Sequence, residues 1–147
     1  MKQCPRTYAR IDIDAILHNV NEVKKRIKKE TMIMAVIKAD GYGHGSVTLA
    51  DYLSDLVDYF GVALIEEAVE LRNNGITKPI LILGYTDPTQ FDLVVDYDVT
   101  QTIFTKESAA LLSEIAVKNN KIAKLHIAVD TGMTRIGFED TSDSVNE

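Results

Sequence analysis

What most constrains this chain is a repeated alternation of short apolar runs with longer amphipathic ones. Residues 32–37, 59–64, 80–84, 99–104 and 124–129 are short, rich in Val and Ile, and several stop at Gly or a polar residue. Buried strands read this way. Residues 8–13 are a sixth strand candidate. Helical patterns fill the gaps. Asp14 is placed to cap a helix with apolar positions Ile16, Leu17, Val20, Val23 and Ile27. Leu49, Tyr52, Leu53, Leu56 and Val57 form a second stripe, again at spacings of three and four. Glu66 and Glu67 open a third helix, where negative charge suits the N-terminus. Asn73-Asn74-Gly75 closes it with an αL stop. Residues 106–119 form a long helix and residues 88–96 a short one. Strands alternating with helices imply an α/β fold of parallel strands and crossover helices.

Two architectures carry that pattern. A complete flavodoxin-like open sheet suits a chain of 147 residues. A (β/α)8 barrel of the TIM type needs about 250 residues, so this chain would be its truncated first part. Ser144-x-x-Glu147 is a capping-box pattern. It leads us to expect a further helix, and a natural sequence that continues.

Charge and composition exclude several roles. The net charge is −6, and an acidic chain repels phosphate backbones, so no nucleic-acid partner is expected. The basic group Lys24, Lys25, Arg26, Lys28 and Lys29 sits where a helix should end and reads as a solvated C-terminal turn. No apolar run suffices to span a bilayer, and residues 1–6 lack the apolar core of a signal peptide. Cys4 is the lone cysteine, which fits a reducing cytoplasm. No metal site is expected.

Chemistry concentrates where the first strong strand ends. Ala35-Val36-Ile37 runs into Lys38, then Ala39-Asp40-Gly41-Tyr42-Gly43-His44-Gly45. Ligands of parallel α/β proteins bind at the C-terminal ends of strands. A Lys there, beside apolar walls, is placed to attack a carbonyl, although most strand-end lysines simply reach solvent. The segment is not a phosphate loop, since no Gly-Lys-Ser/Thr follows. It is not a dinucleotide fingerprint either, because the glycines run G-x-G-x-G. They still permit close backbone approach to a ligand. Tyr42 offers a hydroxyl to a phosphate, and a hydrogen bond within the loop is the default role for His44.

A second motif, Asp130-Thr131-Gly132-Met133-Thr134-Arg135, follows the last strand at the same end. Arg135 carries a planar donor fork suited to a carboxylate. The plainer alternative is a surface Arg paired with Asp130 or Glu139. His126 lies on the same strand, where a core histidine is the default reading.

At residues 35–45 the chain resembles the alanine racemases, fold-type III pyridoxal-phosphate enzymes with an N-terminal barrel and a C-terminal β domain. The resemblance includes Ala9-Arg10-Ile11-Asp12-Ile13-Asp14-Ala15, Glu66-Glu67-Ala68-Val69-Glu70-Leu71-Arg72, Pro79-Ile80-Leu81-Ile82-Leu83-Gly84 and Asp130-Thr131-Gly132-Met133-Thr134-Arg135-Ile136-Gly137. It implies that residues 1–147 are the N-terminal part of the barrel domain, with the later barrel units and the β domain missing. It implies a cytoplasmic isomerase that interconverts L- and D-alanine for peptidoglycan synthesis, with pyridoxal 5'-phosphate as cofactor, an amino-acid substrate and a homodimer in the full-length protein. Under it, Lys38 carries the cofactor as a Schiff base and is one of two catalytic bases. Tyr42 matches the tyrosine that bonds the cofactor phosphate, and Arg135 the arginine that binds the substrate carboxylate.

Two departures stand beside the match. Many relatives have a Lys two residues before the motif's Asp, and Ala128 occupies that place here. The family's second base is a Tyr of the C-terminal domain, and no tyrosine here corresponds to it. Such barrels usually hold phosphate with the loops after strands 7 and 8, and the absence of these and of the second base leads us to expect a fragment inactive alone. Two competing readings are a non-racemase pyridoxal-phosphate protein of the same fold type and a small flavodoxin-like binding module. Serine racemases share these motifs, so the choice between alanine and serine stays open.

Overall fold

The computed structural model describes residues 7–139. The capping-box pattern at Ser144 and the lone Cys4 lie outside them. Five short strands form one parallel sheet: β1 (Met34–Val36), β2 (Tyr59–Val62), β3 (Ile80–Ile82), β4 (Thr100–Ile103) and β5 (Lys124–Ile127). Their spatial order is their chain order, β1-β2-β3-β4-β5. A flavodoxin-like sheet reverses direction, in the order 2-1-3-4-5. Here the winding never turns back. One-way winding carries every crossover helix to the same face, as in a βα barrel. The open-sheet alternative is thereby set aside.

Burial follows that rule. Phe60, Val62, Ile80, Ile82 and Ile103 share one core with Leu49, Leu53, Ala68, Leu71, Val94 and Leu112 of the helices. These helices are α3 (Ser46–Leu53), α4 (Ile65–Asn73), α5 (Phe91–Asp96) and α6 (Lys106–Lys118), with α1 (Ile13–Lys24) and a left-handed turn α2 (Lys38–Gly43) before them. Side chains alternate across a strand, so Leu81 points away from that core. It is nevertheless 5% exposed and lies outside the helix-side cluster. The second face is therefore shielded too, and it is the concave one. Tyr59 of β2 meets His126 of β5 at 6.2 Å between ring centroids. In a flat sheet those strands would stand about 14 Å apart, so the sheet curls. A short parallel pair, β6 (Val129–Asp130) with β7 (Phe138–Glu139), continues from β5.

Several local expectations change. Residues 8–12 form no strand, and α1 starts at Ile13 because Asp12, not Asp14, accepts from the Ala15 N–H at 3.0 Å. The second helix ends at Leu53, so Leu56 and Val57 pack from the turn beyond it while Tyr52 is exposed. His126 is exposed on an edge strand rather than buried in a core. The basic group does fall at a helix end, with Lys25 as C-cap of α1. Gly75, at φ +85°, provides the expected αL stop after α4.

The ends of the strands opposite Lys38 are tied by Arg72. Its guanidinium donates to the carbonyls of Tyr97 (3.0 Å), Ile76 (2.7 Å), Lys78 (2.7 Å) and Asp98 (3.1 Å). Burial lowers its pKa, partly opposed by Asp98, but a guanidinium stays charged at any physiological pH. A lysine has one ammonium and cannot span four carbonyls in two loops. Arg72→Lys should therefore destabilise the protein by about 1–3 kcal/mol, read as a lower urea midpoint with an unchanged slope.

Candidate functional site

The site starts from a problem of direction. The chain must leave β1 and turn onto the helix-bearing face directly after Lys38. It does so in the wrong hand. Ala39, Asp40, Gly41 and Tyr42 all lie in the left-handed region, with φ between 51° and 60°. Each non-glycine residue there costs roughly 1–2 kcal/mol, and such strain gathers at functional sites.

Surrounding bonds hold the turn. The Gly41 N–H donates to the Ile37 carbonyl at 2.8 Å and the Gly45 N–H to the Asp40 carbonyl at 2.9 Å. The Asp40 carboxylate accepts from the Ser46 N–H at 2.9 Å, at the start of α3. His44 Nδ1 lies 2.9 Å from the Gly41 carbonyl, the loop role its position suggested. Glu67 accepts from the Ala39 N–H at 2.6 Å. The glycine-rich segment is a braced turn, not a loose loop. Lys38 is half-buried and its amine has no hydrogen bond or ion pair among the described residues. Tyr42 sits on the same turn and is 60% exposed.

The neighbouring loops at this rim are joined in series. Glu67 also accepts from the Ala63 and Leu64 N–H groups at 2.7 and 3.3 Å, after β2. A Cβ on Gly84, after β3, would lie 2.9 Å from the Ala63 carbonyl oxygen, so that approach needs glycine. Gln101 of β4 donates to the Gly84 carbonyl at 3.0 Å and accepts from Thr86 Oγ1 at 2.7 Å. The Ala128 N–H donates to the Ile103 carbonyl at 2.9 Å, binding the last loop to β4.

That last loop carries Arg135. Asp130 Oδ1 accepts from the Gly132 and Thr134 N–H groups, each at 2.9 Å. The carboxylate therefore organises the turn instead of pairing with Arg135. Gly137 returns against the strand, where an added Cβ would sit 2.4 Å from the Asp130 nitrogen. Arg135 is exposed on the same rim as Lys38, four strands away. The structure thus places Lys38 and Tyr42 on one turn and Arg135 on another loop, with no contact between them. Ala128 offers Arg135 no side-chain partner. Among the described residues no group of His, Cys, Asp and Glu suits a metal ion. A cavity of about 450 Å³ lies at the far end of the strands near Lys28, Ile33 and Asp58, away from these residues.

Glu67 and Gln101 are the rim residues that sequence reasoning missed. In the sequence Glu67 shows as a helix-opening charge within the Glu66–Arg72 run, with no sign of its reach to Ala39, and a lone polar Gln101 in an apolar run carries no signal by itself.

A family model described as alanine racemase, N-terminal domain, matches residues 11–146. Alanine racemase 1 of Caldanaerobacter subterraneus subsp. tengcongensis is 51% identical over 135 residues, covering 91% of this chain and 35% of that protein. A solved alanine racemase of Clostridium difficile 630 superposes with a TM-score of 0.89 at 42% identity, over 91% of this chain and 36% of that one. A histidine racemase of Leuconostoc mesenteroides subsp. sake gives 0.78 at 35% identity, over 86% and 34%. The chain spans about a third of the length of these relatives.

The Asp130 turn is testable by titration. Bonds from the Thr134 and Gly132 N–H groups hold its pKa below the ordinary aspartate value. A depressed carboxylate lends order above its unfolded pKa and loses it as pH falls through the folded one. The Gly132 and Thr134 amide resonances should therefore shift together, with a midpoint below that of a free aspartate. In Asp130→Ala that transition should vanish.

Proposed function

This chain belongs to the alanine racemase family, and on that premise we propose that it is part of a pyridoxal-phosphate-dependent amino-acid racemase acting on alanine. The observation that carries the reading is the unpartnered Lys38 amine at the end of β1, on the rim that also bears Arg135. The residues present fit the cofactor. An amine without a competing partner is free to join its aldehyde, and the exposed Tyr42 hydroxyl on the same turn can meet its phosphate. When bound, the cofactor would make the substrate's α-proton acidic by delocalising the charge left behind.

The chain's own residues would do the rest. Lys38 holds the cofactor and moves the proton on one face of the substrate. Arg135 binds the carboxylate by its two-pronged donor fork. Inversion needs a second acid–base group on the opposite face. Tyr42 shares the turn of Lys38 and cannot serve there, so that group must come from elsewhere. We therefore propose that residues 1–147 are the N-terminal part of a larger barrel domain, and that the complete protein works as a homodimer in the cytoplasm. No helix among the described residues is long and apolar enough to cross a membrane. Alanine is favoured over other amino acids by the family match, though a histidine racemase shares this same part of the fold.

The test joins trapping to turnover. Borohydride reduction after pyridoxal-phosphate addition should label Lys38 above all other lysines, and Lys38→Arg should remove that label. Residues 1–147 alone should give no measurable racemisation of L-alanine. In the complete protein, Lys38→Arg should lower kcat by at least about a hundredfold. Labelling spread evenly over surface lysines would overturn the cofactor role, and turnover by the isolated chain would overturn the need for a second group.

A further inference from the structure

We infer that Glu67 is a positioning residue for Lys38, acting through the Ala39 N–H; this rests on the reading of Lys38 as the cofactor lysine. Two strands end near Glu67, and each leaves a backbone donor without a ladder partner. The last β1–β2 ladder bond runs from the Ile37 N–H to the Gly61 carbonyl at 2.8 Å. Ala39 lies just past it, and Ala63 just past the end of β2. One carboxylate answers both. Oε1 accepts from Ala39 at 2.6 Å, and Oε2 from Ala63 at 2.7 Å and Leu64 at 3.3 Å.

Capping alone does not account for this arrangement. Glu67 is the third residue of α4, and Leu64 at the N-cap has no side-chain acceptor. A capping carboxylate needs only the Leu64 N–H. That bond is the longest of the three, and the shortest goes to a residue 28 positions away. The Ala39 N–H belongs to the peptide that joins Lys38 to the left-handed turn. Fixing that peptide plane fixes the direction in which the Lys38 side chain leaves the strand.

Glu67→Gln separates this role from packing. Glutamine has the same shape but one acceptor and one NH2. Whichever way it turns, one strand end faces a donor instead of an acceptor. Glu67→Asp keeps the charge at the helix end but draws the carboxylate back by one methylene from Ala39, and it serves where the Gln variant does not fold. Arg72→Lys is the control, weakening the fold at the opposite ends of the strands.

The experiment adds pyridoxal phosphate to the protein and measures two quantities: the rate of borohydride-fixed labelling at Lys38, by peptide mapping, and the induced circular dichroism per Lys38-bound cofactor. Glu67→Gln should slow Lys38 labelling by about tenfold and remove most of the dichroism per bound cofactor. Arg72→Lys should lower the unfolding midpoint yet leave both quantities near wild type. Glu67→Gln behaving like wild type would overturn the proposal. So would Arg72→Lys losing as much as Glu67→Gln, because the effect would then follow stability. If the unaltered protein does not label Lys38, the cofactor reading falls and this inference falls with it.

Discussion

The rim depends on a carboxylate that stands where two strands run out of partners. A parallel sheet satisfies its backbone only while strands lie side by side, and every strand end exposes donors that must find another acceptor. Glu67 meets that need for β1 and β2 together, using both oxygens. The same bond braces a turn of improbable hand. Three non-glycine residues, Ala39, Asp40 and Tyr42, sit at positive φ in succession, each at roughly 1–2 kcal/mol. No single glycine relieves that. A network does, because Asp40 also holds the start of α3 and the turn's own carbonyls are taken up by Gly45 and His44.

From that carboxylate the loops are linked one to the next. Gly84 lets the third loop press on the second, Gln101 fastens the third to the fourth strand, and Ala128 joins the fourth strand to the loop of Arg135. The opposite ends are tied separately, by Arg72 to four carbonyls. This division lets the rim be altered chemically while the far side carries stability, the usual arrangement in barrels.

Much of the fold was legible because it rests on periodicity. All five strands were located, and Lys106–Lys118 differs from its expected span by one residue. Strand order was not legible, since flavodoxin-like sheets and barrels share the same alternation and differ only in where the winding reverses. The false strand at residues 8–13 has a physical cause. Its alternating Ile and charged residues read as strand, whereas the Asp12 side chain competes successfully as a helix cap. Lys38, Tyr42 and Arg135 stood out through local motifs. Glu67 did not, because its meaning comes from Ala39, 28 residues earlier. His126 is exposed rather than a core residue because, among the described residues, β5 has a strand neighbour on one side only.

Curvature links the two motifs. In a flat sheet the ends of β1 and β5 would stand about 19 Å apart. Across that gap Lys38 on the first loop and Arg135 on the last would lie too far apart to share one small ligand. Curling shortens it, and the contact of Tyr59 with His126 across two intervening strands shows that the concave face is already drawn together. One-way winding makes that curl possible, because helices packed on a single face leave the other free to close. Strand order therefore sets Lys38 and Arg135 on one rim of a curled sheet, which neither motif shows by itself.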